Sequence, residues 1–109
     1  MQTEYTLSSI PNGYKLIEYD KSEYSVWSVW KNENDDEIVF SQTVVGGNMS
    51  VDNEHNLEYL KINGYKAYFV ESENNCTLFW NDSNYKFMID VPINEKENII
   101  KMAENIVEK

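Results

Sequence analysis

Apolar and polar residues alternate along most of the chain between residues 5 and 91. In the segment 85–91, Tyr85 and Phe87 fall on one face of an extended strand, whereas Lys86 falls on the other. A period of two is typical of strands that bury one face and expose the other. Strand-forming segments occur at 5–10, 14–19, 25–30, 38–45, 60–62, 65–70, 77–80 and 85–91.

Residues that favour turns separate these segments. Asn63-Gly64 lies between two strand-forming segments, and this dipeptide favours the type I′ turn of a tight hairpin. The polar run 32–37 predicts a hairpin between the segments 25–30 and 38–45. Residues 48–57 are polar and lack a clear period, which predicts a surface loop.

The last residues of the chain change from strand to helical periodicity. Five apolar residues after Pro92 recur at helical spacing, namely Ile99, Ile100, Ala103, Ile106 and Val107. We therefore predict one α+β domain over residues 1–109. It contains a mostly antiparallel sheet of about six or seven strands within 5–91, and one C-terminal helix at 95–108 packed on one face of that sheet.

The charge of the chain argues against polyanionic partners. All nine basic residues are lysines, 19 residues are acidic, and the net charge is -10. Nucleic acids and anionic membrane surfaces attract clustered cations, so we expect no nucleic-acid binding and no membrane contact by this domain itself. No apolar run approaches the roughly 18 residues of a membrane-spanning helix. A basic or neutral partner is favoured.

Metal and calcium sites find little support in the sequence. The single histidine, His55, has Asp52, Glu54 and Glu58 nearby, but their spacing matches no zinc motif. The acidic run 33–37 lacks the alternating ligands and central glycine of a calcium loop, so it is interpreted as a charged hairpin tip. We expect no metal and no other cofactor.

Catalytic residues are not indicated either. Cys76 is the only cysteine, lies in an alternating apolar segment without a neighbouring base, and is expected in the core. No phosphate-binding glycine loop and no nucleophile–base pair is apparent. The sequence therefore predicts a protein that is not an enzyme.

Two tryptophans give the best candidate for an interaction surface. Trp27 and Trp30 are three residues apart on one strand-forming segment, so they face opposite sides of the strand unless a bulge intervenes. One of them is expected to point away from the core. An outward tryptophan can anchor a binding partner, although cross-strand packing on a solvated face is the more common reason for one.

Several short motifs, in order, resemble one bacterial family. Residues 10–14 resemble its "Leu-Pro-x-Gly-Tyr" opening segment, and 38–42 its "Ile-x-Phe-x-Gln" strand. Its Asn/Asp-Gly hairpin is similar to 62–64, its "Leu-x-Trp-x-x-x-x-x-Tyr" hairpin to 78–89, and its "Leu-Ala-Glu-Ser-Ile" helix to 102–106. The family is the bacterial domain of unknown function numbered four-three-six-seven. The resemblance covers nearly the whole chain and brings no catalytic residues.

This resemblance implies an extracytoplasmic location. Members commonly form the C-terminal extracytoplasmic part of membrane-anchored Gram-positive proteins, some of them anti-sigma-factor-like. We therefore expect a non-catalytic sensing or interaction domain whose ligand is a protein, a peptide or a small envelope molecule, with its anchor upstream. The N-terminal residues do not form a signal peptide. If Met1 is the native start, the alternative is a free acidic cytoplasmic inhibitor or immunity-type protein that binds a basic partner.

Overall fold

One antiparallel sheet of seven strands dominates the computed structural model, which describes residues 3–44 and 57–109. Two short strands, β1 (Tyr5–Thr6) and β9 (Val107–Glu108), pair separately. The seven strands are β2 (Lys15–Lys21), β3 (Ser25–Lys31), β4 (Glu37–Val44), β5 (Leu57–Ile62), β6 (Tyr65–Glu71), β7 (Asn75–Asn81) and β8 (Tyr85–Pro92). Their order in the sheet is β2-β3-β4-β8-β7-β6-β5. The predicted α+β class with a mostly antiparallel sheet is confirmed.

The sheet consists of two meanders, β2–β4 and β5–β8, joined by the pairing of β4 with β8. Tight turns produce this arrangement. Asn63 and Gly64 adopt φ values of 51° and 90°, so the predicted Asn-Gly hairpin is confirmed. The hairpin predicted around residues 32–37 is also confirmed, since β3 pairs with β4. The loop predicted at 48–57 lies outside the described residues except for Leu57, which begins β5.

The hydrophobic core lies on one side of the sheet. Alternate residues of β7 and β8 are buried on this side, among them Leu78, Trp80, Phe87 and Ile89. A 3₁₀ helix (Ile93–Asn98) leads into α1 (Ile99–Glu104), whose buried residues are Ile99, Met102 and Ala103. We term this the helix side of the sheet, and the opposite face the open side. The helix predicted to cover one face is therefore present.

The predicted extent of that helix, 95–108, is wrong. The α-helical part ends at Glu104, and Asn105 leaves the helical conformation with φ -116° and ψ 22°. Val107 then pairs with Thr6, and the Lys109 N–H donates to the Glu4 carbonyl at 2.8 Å. Backbone pairing with the N-terminal segment thus replaces the last helical turn, because it satisfies polar groups that a frayed helix end would leave to solvent.

The N-terminal segment is also attached to the helix side of the sheet. Gln42 is fully buried; its Nε2 donates to the Thr3 carbonyl and its Oε1 accepts from the Tyr5 N–H, both at 2.8 Å. The Gln42 side-chain amide therefore forms with the N-terminal segment the two hydrogen bonds that the backbone of a neighbouring strand would form. None of the helices in the described part of the chain is long and apolar enough to cross a membrane.

Candidate binding face

The structure separates the two candidate tryptophans. Trp27 lies on the open side of β3 and is 41% exposed, whereas Trp30 lies on the helix side, is 8% exposed and belongs to the core. The predicted opposite orientation of the two rings is confirmed. Trp30 is not available as a contact surface, because its side chain is buried in the core beneath the sheet. An interaction role for Trp27 stays a prediction.

Trp27 belongs to a row of side chains that crosses the open side perpendicular to the strands. Register pairs connect Trp27 to Ser41, Ser41 to Met88, and Met88 onward to three aromatic residues. The members from β3 to β5 are Trp27, Ser41, Met88, Phe79, Tyr68 and Tyr59. We term this set the aromatic row. Its two ends, Trp27 and Tyr59, are exposed, and the side chains between them are half-buried.

Strand register explains why these residues come together. In an antiparallel pair without a bulge, the residue numbers of all partners have the same sum, and residues directly opposite share a face. The two-residue turn at Asn63-Gly64 places Ile62 opposite Tyr65, and the same sum places Tyr59 opposite Tyr68. Neighbouring strands extend this row one residue each. Four members, Met88, Phe79, Tyr68 and Tyr59, therefore lie side by side, and Ser41 separates them from Trp27.

The β5 end of the row has a defined geometry. The rings of Tyr59 and Tyr68 meet edge to face, with their centroids 5.1 Å apart and their planes at 67°. The Lys66 ammonium lies 4.9 Å from the Tyr59 centroid and 5.5 Å from the Tyr68 centroid. Cations are attracted to the negative faces of aromatic rings. The Lys66 ammonium therefore already occupies the cation-binding position of this tyrosine pair.

Charged residues border the row on its two flanks. Glu18 and Asp90 lie in the next register row on one flank, and Lys86 lies on the other. The Asn75 amide donates to both Asp90 carboxylate oxygens, at 2.9 and 3.2 Å. Partial burial raises the pKa of Asp90, although hydrogen bonds from Asn75 and Thr77 oppose the shift. At the β2 end the row continues to Asp20, which is exposed.

Other residues considered from the sequence lie elsewhere. Cys76 is fully buried, and burial followed by the charge of Glu71 raises the pKa of its thiol, as expected of a core cysteine. The acidic run lies in the β3–β4 turn, where Asn32 Oδ1 accepts the N–H groups of Asn34 and Asp36. It is a structured hairpin tip. His55, Asp52 and Glu54 lie outside the described residues.

Over residues 3–44 and 57–109, no group of three or more His, Cys, Asp or Glu side chains is placed to hold a metal ion. The expected absence of catalysis, cofactors and metals stays a prediction.

Sequence reasoning identified Trp27 and missed the rest of the row. Tyr59, Tyr68, Phe79 and Met88 lie on separate segments, and nothing in each segment alone singles them out. The signal was present for one pair, since the Asn63-Gly64 turn fixes Tyr59 opposite Tyr68. The pairing of β4 with β8 had no local signal, because it joins segments about 45 residues apart in the sequence.

The model of a domain of unknown function, DUF4367, matches residues 4–106, which is nearly the whole chain. The chain belongs to the DUF4367 family. The resemblance found in the sequence motifs is thereby confirmed, whereas the membrane-anchored, extracytoplasmic context that it implied stays an expectation. No curated protein and no solved structure matched this DUF4367 domain.

Proposed function

We propose that this DUF4367 domain binds a protein partner through the aromatic row, without catalytic turnover. The observation that carries the proposal is the row itself. It extends across six neighbouring strands on the face opposite the helix and ends in two exposed aromatic rings, Trp27 and Tyr59. Tryptophan and tyrosine dominate the binding energy of protein interfaces because they bury a large area at a small entropic cost.

Charge favours one class of occupant, a protein segment that presents lysine or arginine beside apolar side chains. The domain has a net charge of -10, and Glu18 and Asp90 border the row on one flank, opposite Lys86 on the other. Opposite charge steers a basic partner toward the domain and raises its association rate.

Selection from a random 12-residue peptide library tests this proposal. The parent domain should enrich peptides that combine basic and apolar residues. The substitution Trp27→Ala should lower the affinity of the domain for the selected peptide by about tenfold or more, as expected for a hot-spot anchor. Tyr24→Ala is the matched control, since Tyr24 is 63% exposed but lies in the β2–β3 turn, outside the row. Two results would contradict the proposal: selected peptides that bind the Trp27→Ala and Tyr24→Ala variants with equal affinity, or selected peptides that are mainly acidic.

We further propose that the domain acts outside the cytoplasm, as the family resemblance implies. The alternative is an acidic cytoplasmic inhibitor of a basic protein, which the net charge of -10 favours equally. Protease treatment of intact cells that express the full native reading frame separates the two. Digestion of the domain in intact cells supports the extracytoplasmic location, and digestion only after lysis supports the inhibitor.

A further inference from the structure

The edge strand β2 has features of a contact surface that the aromatic row does not explain. It is the outermost strand beside β3, and all seven of its residues are exposed, including Leu16, Ile17 and Tyr19. An edge strand presents N–H and C=O groups that no neighbouring strand satisfies, so it can pair with another chain. Three exposed apolar residues on one such strand add a hydrophobic contribution to that pairing.

A β-bulge sets the direction of the β2 side chains. The register moves from Leu16 opposite Trp30 to Glu18 opposite Val29, so Ile17 is an extra residue. Leu16 and Tyr19 consequently share the helix side, although their numbers differ by three. Lys15 and Asp20 share the open side in the same way.

Backbone groups of β2 are also suitably directed for pairing. The Ser22 N–H donates to the Ser25 carbonyl at 2.8 Å, which makes residues 22 and 25 a hydrogen-bonded pair. Hydrogen-bonded and non-hydrogen-bonded pairs alternate along antiparallel strands. Asp20 and Glu18 therefore bond to β3, whereas Tyr19 and Lys21 direct their N–H and C=O groups outward from the sheet.

This pattern is self-complementary in the antiparallel orientation. If a twofold axis passes between Ile17 and Glu18, Leu16 of each copy lies opposite Tyr19 of the other, and Lys15 opposite Asp20. Both contacts join residues on the same side of the sheet, and twofold symmetry repeats each of them. Apolar side chains then meet in the two Leu16–Tyr19 pairs and opposite charges in the two Lys15–Asp20 pairs, while Ile17 of each copy lies opposite Glu18 of the other at the centre.

One side chain of this contact, Tyr19, is already held in place by residues on the helix side of the sheet. The Tyr19 hydroxyl donates to a Glu4 carboxylate oxygen at 2.7 Å, and the Lys109 ammonium lies 3.7 Å from the Tyr19 ring centroid. Lys21 forms an ion pair with Glu4 at 3.1 Å. Side chains held in place in the free protein lose less entropy on association.

The charge of β2 favours a second copy of the same chain over other occupants. The strand has two lysines and two acidic residues, so it is neutral within a chain of net charge -10. Like-charge repulsion between two copies is therefore small at this edge. We propose that two copies of this domain associate through antiparallel pairing of their β2 strands and form a weak, symmetric dimer.

The dimer would extend the proposed binding face. A twofold axis perpendicular to the sheet keeps both open sides on the same surface, and Trp27 lies on β3, directly beside the dimer edge. The two aromatic rows would then lie on one surface but offset along the strands, because Asp20 at the end of each row lies opposite Lys15 of the other copy. A partner with two binding segments would gain affinity from their simultaneous engagement.

Sedimentation velocity between about 10 μM and 1 mM protein tests the dimer, a range suited to weak association. The parent should shift from monomer toward dimer with concentration. Lys15→Asp and Asp20→Lys should each weaken association by roughly tenfold, because each variant places like charges opposite one another twice. The double variant Lys15→Asp/Asp20→Lys restores both opposite-charge contacts and should recover the association of the parent.

Lys101→Asp is the matched control, since it changes the net charge by the same amount as Lys15→Asp at an exposed position of α1. It should leave the association unchanged. A parent that stays monomeric up to about 1 mM would overturn the proposal. If neither Lys15→Asp nor Asp20→Lys weakens the association, or if the double variant does not restore it, the contact lies on another surface and the proposal is wrong. These results do not affect the peptide selection, so the dimer can be disproved without disproving the proposed function, and the reverse.

Discussion

Glu4 joins both ends of the chain to the sheet edge. Its carboxylate forms ion pairs with Lys21 at 3.1 Å and Lys109 at 2.9 Å, and it accepts a hydrogen bond from Tyr19. Partial burial raises the pKa of Glu4, but the hydrogen bonds from Lys109, Tyr19 and Lys21 outweigh it and lower the pKa to about 2. The side chain is 14% exposed, whereas both lysines are about half exposed.

The stability contributed by Glu4 should depend on pH. Because the pKa in the folded state is below the ordinary value of 4.5, the contribution is complete above pH 4.5 and is lost as the pH falls toward 2. Glu4→Gln should lower the free energy of unfolding by about 1–2 kcal/mol at pH 7, after allowance for solvent screening of the lysines. Urea unfolding of both proteins measures this difference. A difference that stays constant down to pH 2 would show that the ion pairs do not cause it.

Tyr14, unlike Glu4, buries a polar group without a partner in the described part of the chain. Within the described residues, its hydroxyl is buried and has no hydrogen-bond partner. Burial, with smaller contributions from the charges of Glu95 and Asp36, raises its pKa to about 12. The neutral phenol is therefore favoured in the folded state, and stability is lost as the pH rises from 10 toward 12.

Removing the Tyr14 hydroxyl should not harm the fold. An unpaired buried hydroxyl costs about 1–3 kcal/mol of desolvation, so Tyr14→Phe should leave stability at pH 7 unchanged or raise it by up to about 1 kcal/mol. The variant should also lose less stability than the parent above pH 10. Denaturant titrations at pH 7 and pH 11 measure both effects. Destabilisation by more than about 1 kcal/mol at pH 7 would mean that the hydroxyl has a partner after all.

The C-terminal residues form two parts, the helix α1 and the strand β9, which contact different regions of the domain. Ile99, Met102 and Ala103 of α1 are buried against the sheet, whereas Val107 and Glu108 pair only with β1. Deleting residues 94–109 should give an unfolded or aggregated chain, because it uncovers the core and each large aliphatic residue contributes roughly 1.5–3 kcal/mol.

A shorter deletion separates the helix from the tail. Removing residues 106–109 deletes β9 and the contact of Lys109 with Glu4 but keeps α1. This variant should retain a cooperative melting transition at a lower midpoint. Thermal melting followed by circular dichroism distinguishes the two deletions, and a cooperative melt of the longer deletion near the parent midpoint would refute the assigned role of α1.

Local sequence patterns predicted most of the strands and the helix, but not the residues at which the helix ends. Alternation located the strands, and Asn63-Gly64 fixed a hairpin because few residues tolerate a positive φ at both turn positions. The end of the helix was not predictable, since Ile106 and Val107 continue the helical spacing although Val107 pairs with Thr6 in a strand. Tertiary pairing overrode a weak local preference there.

At the scale of the whole molecule, the candidate face depends on one long-range pairing. β4 and β8 join the two meanders, and this contact places Trp27 in the same row as Phe79, Tyr68 and Tyr59. Parity alone predicted that one tryptophan faces outward, but it could not show which residues accompany it. The row became visible only when the register of all the strands was known.

The position of the bound partner is the most direct test of the proposed function. Amide chemical-shift mapping of the ¹⁵N-labelled domain, titrated with a peptide selected on the parent domain, measures it residue by residue. The account predicts that the largest shifts occur on the open side around Trp27, Met88, Phe79 and Tyr59, with small shifts along α1. Shifts concentrated on α1 or on the β2–β3 turn around Tyr24, with the aromatic row unchanged, would contradict it.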